Sequence, residues 1–220
     1  MISSFSFPTK ISFGPGVISS IHEKLKLLGV SRPLLVTDAG LARTPVFQKF
    51  RQLGGDAWKY FAEVKPNPTL EDVQNTLAAY QGCDSVIAVG GGSVLDVGKA
   101  VRLLIKKPDA DLKQFKWTDD WSGLVPCITI PTTAGTGSEV GRSSVIIIDG
   151  RKSVLFHPKL LADFVFLDPE ITTGLPPLLT AATGADALTH CIESFTSPEF
   201  HPLCDGIALE GARISYHYLR

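Results

Sequence analysis

The sequence is poor in sulfur and almost without net charge. It holds four cysteines and one methionine in 220 residues. Cys83, Cys127, Cys191 and Cys204 form no CxxC pair, and their spacing offers no disulfide framework. Reduced thiols in a cytoplasmic protein are therefore expected. Lys and Arg total 21 against 22 Asp and Glu, a formal charge of −1, so no electrostatic surface for nucleic acid is expected. No apolar run approaches the length of a membrane-spanning helix. The opening MISSFSFPTK lacks the basic and then apolar pattern of a secretory leader.

What is present is an ordinary globular balance, 44% apolar and 20% charged, long enough to bury a core. Up to about residue 175 strand-like and helix-like segments alternate. Helical stripes run through Val17, Ile18, Ile21, Leu25 and Leu28, and through Val46, Phe47, Phe50 and Leu53. PLLVTD at 33–38, the aromatic-rich residues 56–62, SVIAV at 85–89, VPCITI at 125–130 and FVFLD at 164–168 read as strands. Thr69 and Asp72 have capping-box spacing. SSVIIID and KSVLF flank Asp149–Gly150, a hairpin signal, and read as an antiparallel addition. Alternating βα units predict a mostly parallel, Rossmann-like sheet covered on both faces. From 178 onward the pattern is helical only. The expected organisation is an α/β nucleotide-binding domain over 1–175 and the beginning of a helical domain over 176–220.

Four places carry candidate chemistry. Gly90–Gly91–Gly92–Ser93 lies between a buried strand and a helix, with Ser93 predicted as N-cap and Asp96 at N3. Glycines admit a phosphate close to the backbone, and the helix amino end supplies free N–H groups. A tight turn without ligand is the alternative. Leu95 stands where GxGxxG needs its last glycine, and Ala100 where a Walker A loop needs Ser or Thr, so spacing alone points to phosphate but to no particular nucleotide. Residues 131–138, PTTAGTGS, suit a loop around a polar ligand, or equally a connector whose hydroxyls cap their own backbone. Asp38 ends a strand, where it either reads ribose hydroxyls or caps the next turn. Asp186 and His190 are four apart in a helical run and share a face. They could hold a divalent metal. A surface ion pair is the more frequent use of such spacing.

Three strings, GGGSVLDVGKA at 90–100, PTTAGTGSEV at 131–140 and TGADALTHCIESF at 183–195, together resemble the iron-containing, group III alcohol dehydrogenase family over nearly the whole chain. That resemblance implies a dehydroquinate synthase-like fold and a homodimer. It implies Gly91, Gly92 and Ser93 as pyrophosphate contacts with Asp96 nearby. Thr132, Thr133, Thr136 and Ser138 would lie along the adenine, ribose and nicotinamide. Lys152 aligns near the ribose, Asn67 is a further cofactor contact, and Asp38 reads the ribose and favours NAD over NADP. Lys99 matches by type and is expected to be a solvated or structural helix lysine. Asp186 and His190 would be two metal ligands, for Fe(II) or alternatively Zn(II), acting in catalysis through that metal.

The family's two further histidine ligands lie in later motifs absent here. His201 and His217 do not resemble them, and His22 and His157 are expected to have ordinary surface roles. The chain is therefore expected to be part of a longer dehydrogenase, and by itself to lack turnover. The expected activity is metal-dependent, NAD-dependent hydride transfer interconverting small alcohols and aldehydes or ketones, with substrate between the two domains. Alternatives are a glycerol dehydrogenase- or maleylacetate reductase-like branch, or a non-catalytic nucleotide-binding fragment.

Overall fold

The computed structural model describes residue 7, residues 9–198 and residues 200–219. Residues 1–6, where no leader was expected, lie outside the described residues, as do Pro8, Glu199 and Arg220. The chain divides into two compact units, one of Thr9–Thr132 with Ser138–Ile171, the other built from Thr133–Gly137 and Thr172–Arg220.

The first unit is a six-stranded, fully parallel sheet. Its strands are β1 (Ile11–Phe13), β2 (Pro33–Val36), β3 (Lys59–Phe61), β4 (Ser85–Gly90), β5 (Cys127–Pro131) and, after a separate hairpin, β8 (Phe164–Leu167). Their order in the sheet is β1-β8-β5-β4-β2-β3. Every residue of β2, β4 and β5 is buried, as both faces of the sheet are covered. Alternation within β4 shows how. Val86 and Ala88 join the core under α3 (Leu70–Ala79) and α4 (Gly92–Lys106). Ile87 and Val89 join the core under α1 (Ile21–Leu28) and α2 (Pro45–Gly54). The capping box at Thr69 and Asp72 is formed in full. All four cysteines are free thiols, and burial pushes that of Cys127 up to about 11.

Several elements differ from the sequence reading. The helix after the glycines has Gly91, not Ser93, as its N-cap, and Ser93 lies inside the first turn. The cause is Gly90, whose φ of 158° turns the chain early and lets helical geometry begin at Gly92. Residues 17–28 begin as a 3₁₀ turn, Val17–Ser20, before α1. The three residues of β1 are too few to show a period and exist as a strand through pairing with β8. The hairpin of β6 (Ser143–Ile148) and β7 (Arg151–Phe156) forms its own sheet and joins no strand of the main one. Its turn residues Asp149 and Gly150 both have positive φ, 50° and 74°, as a two-residue hairpin turn requires. It docks instead through Val145 N, which donates to Asp96 Oδ2, and Ile147 N, which donates to Pro68 O.

The second unit contains a helical pair, α5 (Pro177–Phe195) and α6 (Pro202–Tyr218). Glycines let the two approach: a Cβ on Gly184 would stand 2.2 Å from Leu219 Cδ2, and one on Gly211 2.7 Å from Cys191 Sγ. No residue of α5 and only Ala208 of α6 is buried. Among the described residues no helix is long and apolar enough to cross a membrane.

Gly98 sets how closely α4 lies on the sheet, since a Cβ there would fall 2.5 Å from Ala88 Cβ. Helix propensity favours alanine over glycine by about 1 kcal/mol. Overpacking against a rigid strand costs about 1–3 kcal/mol. Gly98→Ala is therefore expected to destabilise the fold, read as a lower urea midpoint, and a raised midpoint would show that α4 has room to spare.

Candidate functional site

The chain runs β2–α2–β3 away to one side, then returns through α3 to place β4 on the other side of β2. The connections leaving β2 and β4 thus diverge at their carboxyl ends, the position where open α/β sheets leave a crevice for ligands. Register puts Val36 beside Ala88 and Gly90 beside Pro131. The sheet edge therefore brings together Asp38, the Gly91–Gly92–Ser93 turn and Thr132. Thr37 Oγ1 donates to Val89 O at 2.8 Å, and Thr132 N donates to Gly90 O at 3.0 Å, so both neighbouring loops are tied to β4.

Gly91, Gly92 and Ser93 are half-buried at the amino end of α4, where no side chain caps the free N–H groups. A fifteen-residue helix ends there with its positive dipole end toward the crevice. Asp38 is also half-buried. Its Oδ1 accepts from Gly40 N at 2.8 Å and Leu41 N at 2.9 Å, so it caps the next turn. Its Oδ2 accepts no hydrogen bond among the described residues, so one carboxylate oxygen is left for a ligand.

Asp96 and Ser138 are placed differently. Ser138 Oγ donates to Asp96 Oδ1 at 2.5 Å, and Asp96 Oδ2 receives Val145 N at 3.1 Å. Both side chains are engaged with protein groups. Lys99, read from the sequence as solvated or structural, is fully buried beside them. Burial draws its ammonium below the usual lysine range, and the nearby Asp96 carboxylate opposes that shift. Asn67 and Lys152 are exposed. Asn67 has φ of 52°, and Lys152 stands opposite Ile147, the residue that donates to Pro68 next to Asn67.

In the second unit, α5 places Asp186 and His190 on one face, with Asp186 Oδ1 and His190 Nε2 3.9 Å apart and both side chains half-exposed. His190 Nδ1 lies 3.3 Å from Gly135 O. A carbonyl can only accept, so this contact is a hydrogen bond when Nδ1 carries a proton. One carboxylate and one imidazole are donors that would suit a borderline divalent ion. Thr133 is half-buried and Thr136 exposed in the segment that carries Gly135. His201, set aside on sequence, lines a cavity of about 460 Å³ with His190, Glu193, Ser194, Ser197 and Cys204. Its Nδ1 accepts from Cys204 N at 3.2 Å as the cap of α6. Among the described residues no three His, Cys, Asp or Glu side chains gather as a metal site.

Sequence reasoning missed Gly98 and Gly135 as the partner of His190, and left Lys99 open between a solvated and a structural role. An isolated glycine within a helical pattern signalled the first. Nothing local signalled the other two.

Residues 8–169 match the family model described as iron-containing alcohol dehydrogenase, and the chain belongs to that family. It is 41% identical over 212 residues to a 4-hydroxybutyrate dehydrogenase of Cupriavidus necator, covering 92% of this chain and 55% of that protein. It is 38% identical over 215 residues to the probable alcohol dehydrogenase EutG of Escherichia coli K12, covering 94% and 54%. The solved structure of a sulfoacetaldehyde reductase from Bifidobacterium kashiwanohense, in complex with NAD⁺, superposes with a TM-score of 0.92 at 30% identity. That match covers 100% of this chain and 60% of the other. The chain thus spans a little over half the length of the relatives it matches.

Gly135 has little room. A Cβ there would lie 2.9 Å from Thr183 O and 3.2 Å from Asp186 Oδ2. Gly135→Val is expected to push the segment off α5, free His190 Nδ1 and weaken divalent-ion binding about tenfold, the lower range for loss of a partner that orients a ligand. Titration with Zn(II) reads the change, and equal affinity would remove Gly135 from that role.

Proposed function

We propose that this chain contributes the nucleotide-binding and first metal-binding elements of an NAD-dependent, metal-dependent oxidoreductase for small alcohols and aldehydes or ketones. The observation that carries the reading is the β2–β4 switch point, where an acid and an uncapped helix end share one sheet edge. Its support is the family, relatives named as dehydrogenases and reductases, and a neighbour solved with NAD⁺.

The N–H groups of Gly91, Gly92 and Ser93 are suited to a pyrophosphate, because glycine at 91 and 92 lets the backbone approach and the helix end favours negative charge. Asp38 Oδ2 is suited to accept from a ribose hydroxyl and to repel a 2′-phosphate, which selects NAD over NADP. Thr132, Thr133 and Thr136 are assigned further contacts to the dinucleotide, a role that the family resemblance supports. Asn67 and Lys152 flank the hairpin side and are assigned the outer, ribose-side contacts. Asp186 and His190 are assigned to Fe(II) or Zn(II). When bound, the dinucleotide supplies a hydride acceptor and the ion a Lewis acid toward the substrate oxygen. The protein's own part is to orient both and to bias the charge around them; no protein nucleophile is required.

Two variants test the reading. Asp38→Asn keeps an oxygen to cap Gly40 and Leu41 while removing the charge. Its preference for NAD over NADP should fall about tenfold or more, the scale of one charge contact at a protein surface; unchanged calorimetric discrimination takes Asp38 out of the ribose role. His190→Ala should lose bound metal, since an aspartate alone is a weak ligand set. Full metal occupancy of that variant, measured by elemental analysis, would remove His190 from the ligand set.

A further inference from the structure

We infer that Lys99 is a positioning residue for the dinucleotide site, holding the far end of the threonine-rich loop against α4; this rests on the nucleotide reading above. Lys99 Nζ donates to Ser138 O and Ser138 Oγ, each at 2.8 Å, and to Ser143 O. It lies 3.1 Å from Asp96 Oδ1, itself bonded to Ser138 Oγ. An ammonium has three N–H donors, and all are needed for this set of acceptors.

The side chain is 0% exposed. Taking an ammonium out of water is costly unless its charge and donors are all matched. The sheet itself does not need a charge there. Val97, Ala100 and Val101 beside it on α4 are apolar and fully buried. What the ammonium secures is the connector between the threonine-rich loop and the hairpin, at its first residue, Ser138, and at Ser143, where β6 begins.

The other end of the loop is tied separately, through Thr132 N to Gly90 O. Both attachment points belong to one rigid piece. Gly90 leads into the amino end of α4, and Lys99 lies two turns along the same helix. The helix that presents the Gly91–Ser93 amides therefore also fixes where the threonine-rich loop starts and where it must return. Removing the ammonium releases the return point and leaves the starting point in place.

The test compares Lys99→Met and Lys99→Arg with the unaltered chain by NADH fluorescence titration and amide hydrogen exchange. Lys99→Met is expected to weaken NADH binding at least tenfold. Exchange should rise across residues 138–145 while residues 85–90 stay protected. Arginine keeps the charge, but its broad planar fork cannot converge on these acceptors, so Lys99→Arg should weaken binding to an intermediate degree. A folded variant with a lowered melting temperature but unchanged NADH affinity overturns the inference, because a merely structural lysine behaves that way. Failure of both variants to fold also overturns it, since Lys99 would then support the whole unit. If the unaltered chain binds no NADH, the nucleotide reading fails, whereas the exchange comparison still decides whether Lys99 fastens the loop.

Discussion

The closeness of α4 to β4 is the constraint on which the sheet edge depends. Gly98 meets Ala88 with no space for another carbon, and Gly90 turns the chain directly from strand into helix. Those two features hold the helix axis against the sheet and bring its amino end to the strand's end. Free N–H groups and the positive dipole end then face the crevice instead of bulk water. A bulkier helix face would lift α4 and carry its amino end away from Asp38 and Thr132. Glycine 98 thus does the close-packing work that the last glycine of a dinucleotide fingerprint does elsewhere, from a position three residues later than the fingerprint expects.

Charge is used sparingly in this unit, and each buried charge is matched. Arg102 Nε donates to Val125 O at 2.8 Å and its Nη1 to Leu161 O at 3.1 Å, fastening the segments before β5 and β8. Asp168, also buried, accepts from Gly16 N at 3.1 Å and Glu170 N at 3.0 Å at the end of β8. Lys99 works by the same logic beside the threonine-rich loop. In each case a charged side chain satisfies main-chain groups of loops that the sheet ladders cannot reach, and loops rather than strands carry the candidate ligand contacts.

The helical pair follows different physics. Its two helices meet through glycines and a small number of side chains, and most of their surface is exposed. Local hydrogen bonds therefore dominate it. Threonines 180, 183, 189 and 196 all return their hydroxyls to carbonyls four residues back. Such bonds satisfy each hydroxyl at a carbonyl of its own helix, which that carbonyl shares with the helical N–H. Against that background the 3.3 Å approach of His190 to Gly135 stands out, because it spans 55 residues of chain.

The amino-acid sequence by itself determined what depends on near neighbours. The buried strands, the helical stripes, the Thr69–Asp72 box, the Asp149–Gly150 turn and the shared face of Asp186 and His190 all follow from period and backbone preference within a few residues. The three family strings were equally legible, because they are contiguous. Only the tertiary structure decided that Asp96 and Ser138 face each other, that Lys99 is buried between Ser138 and Ser143, that the hairpin stands apart from the main sheet and that Ile11–Phe13 is a strand at all. These outcomes depend on partners some forty to one hundred and fifty residues away. A side chain's own neighbours in the chain carry no record of such a partner. Whether a lysine on a helix is solvated or buried depends on what later packs over it, and here that was a loop and the first strand of a hairpin.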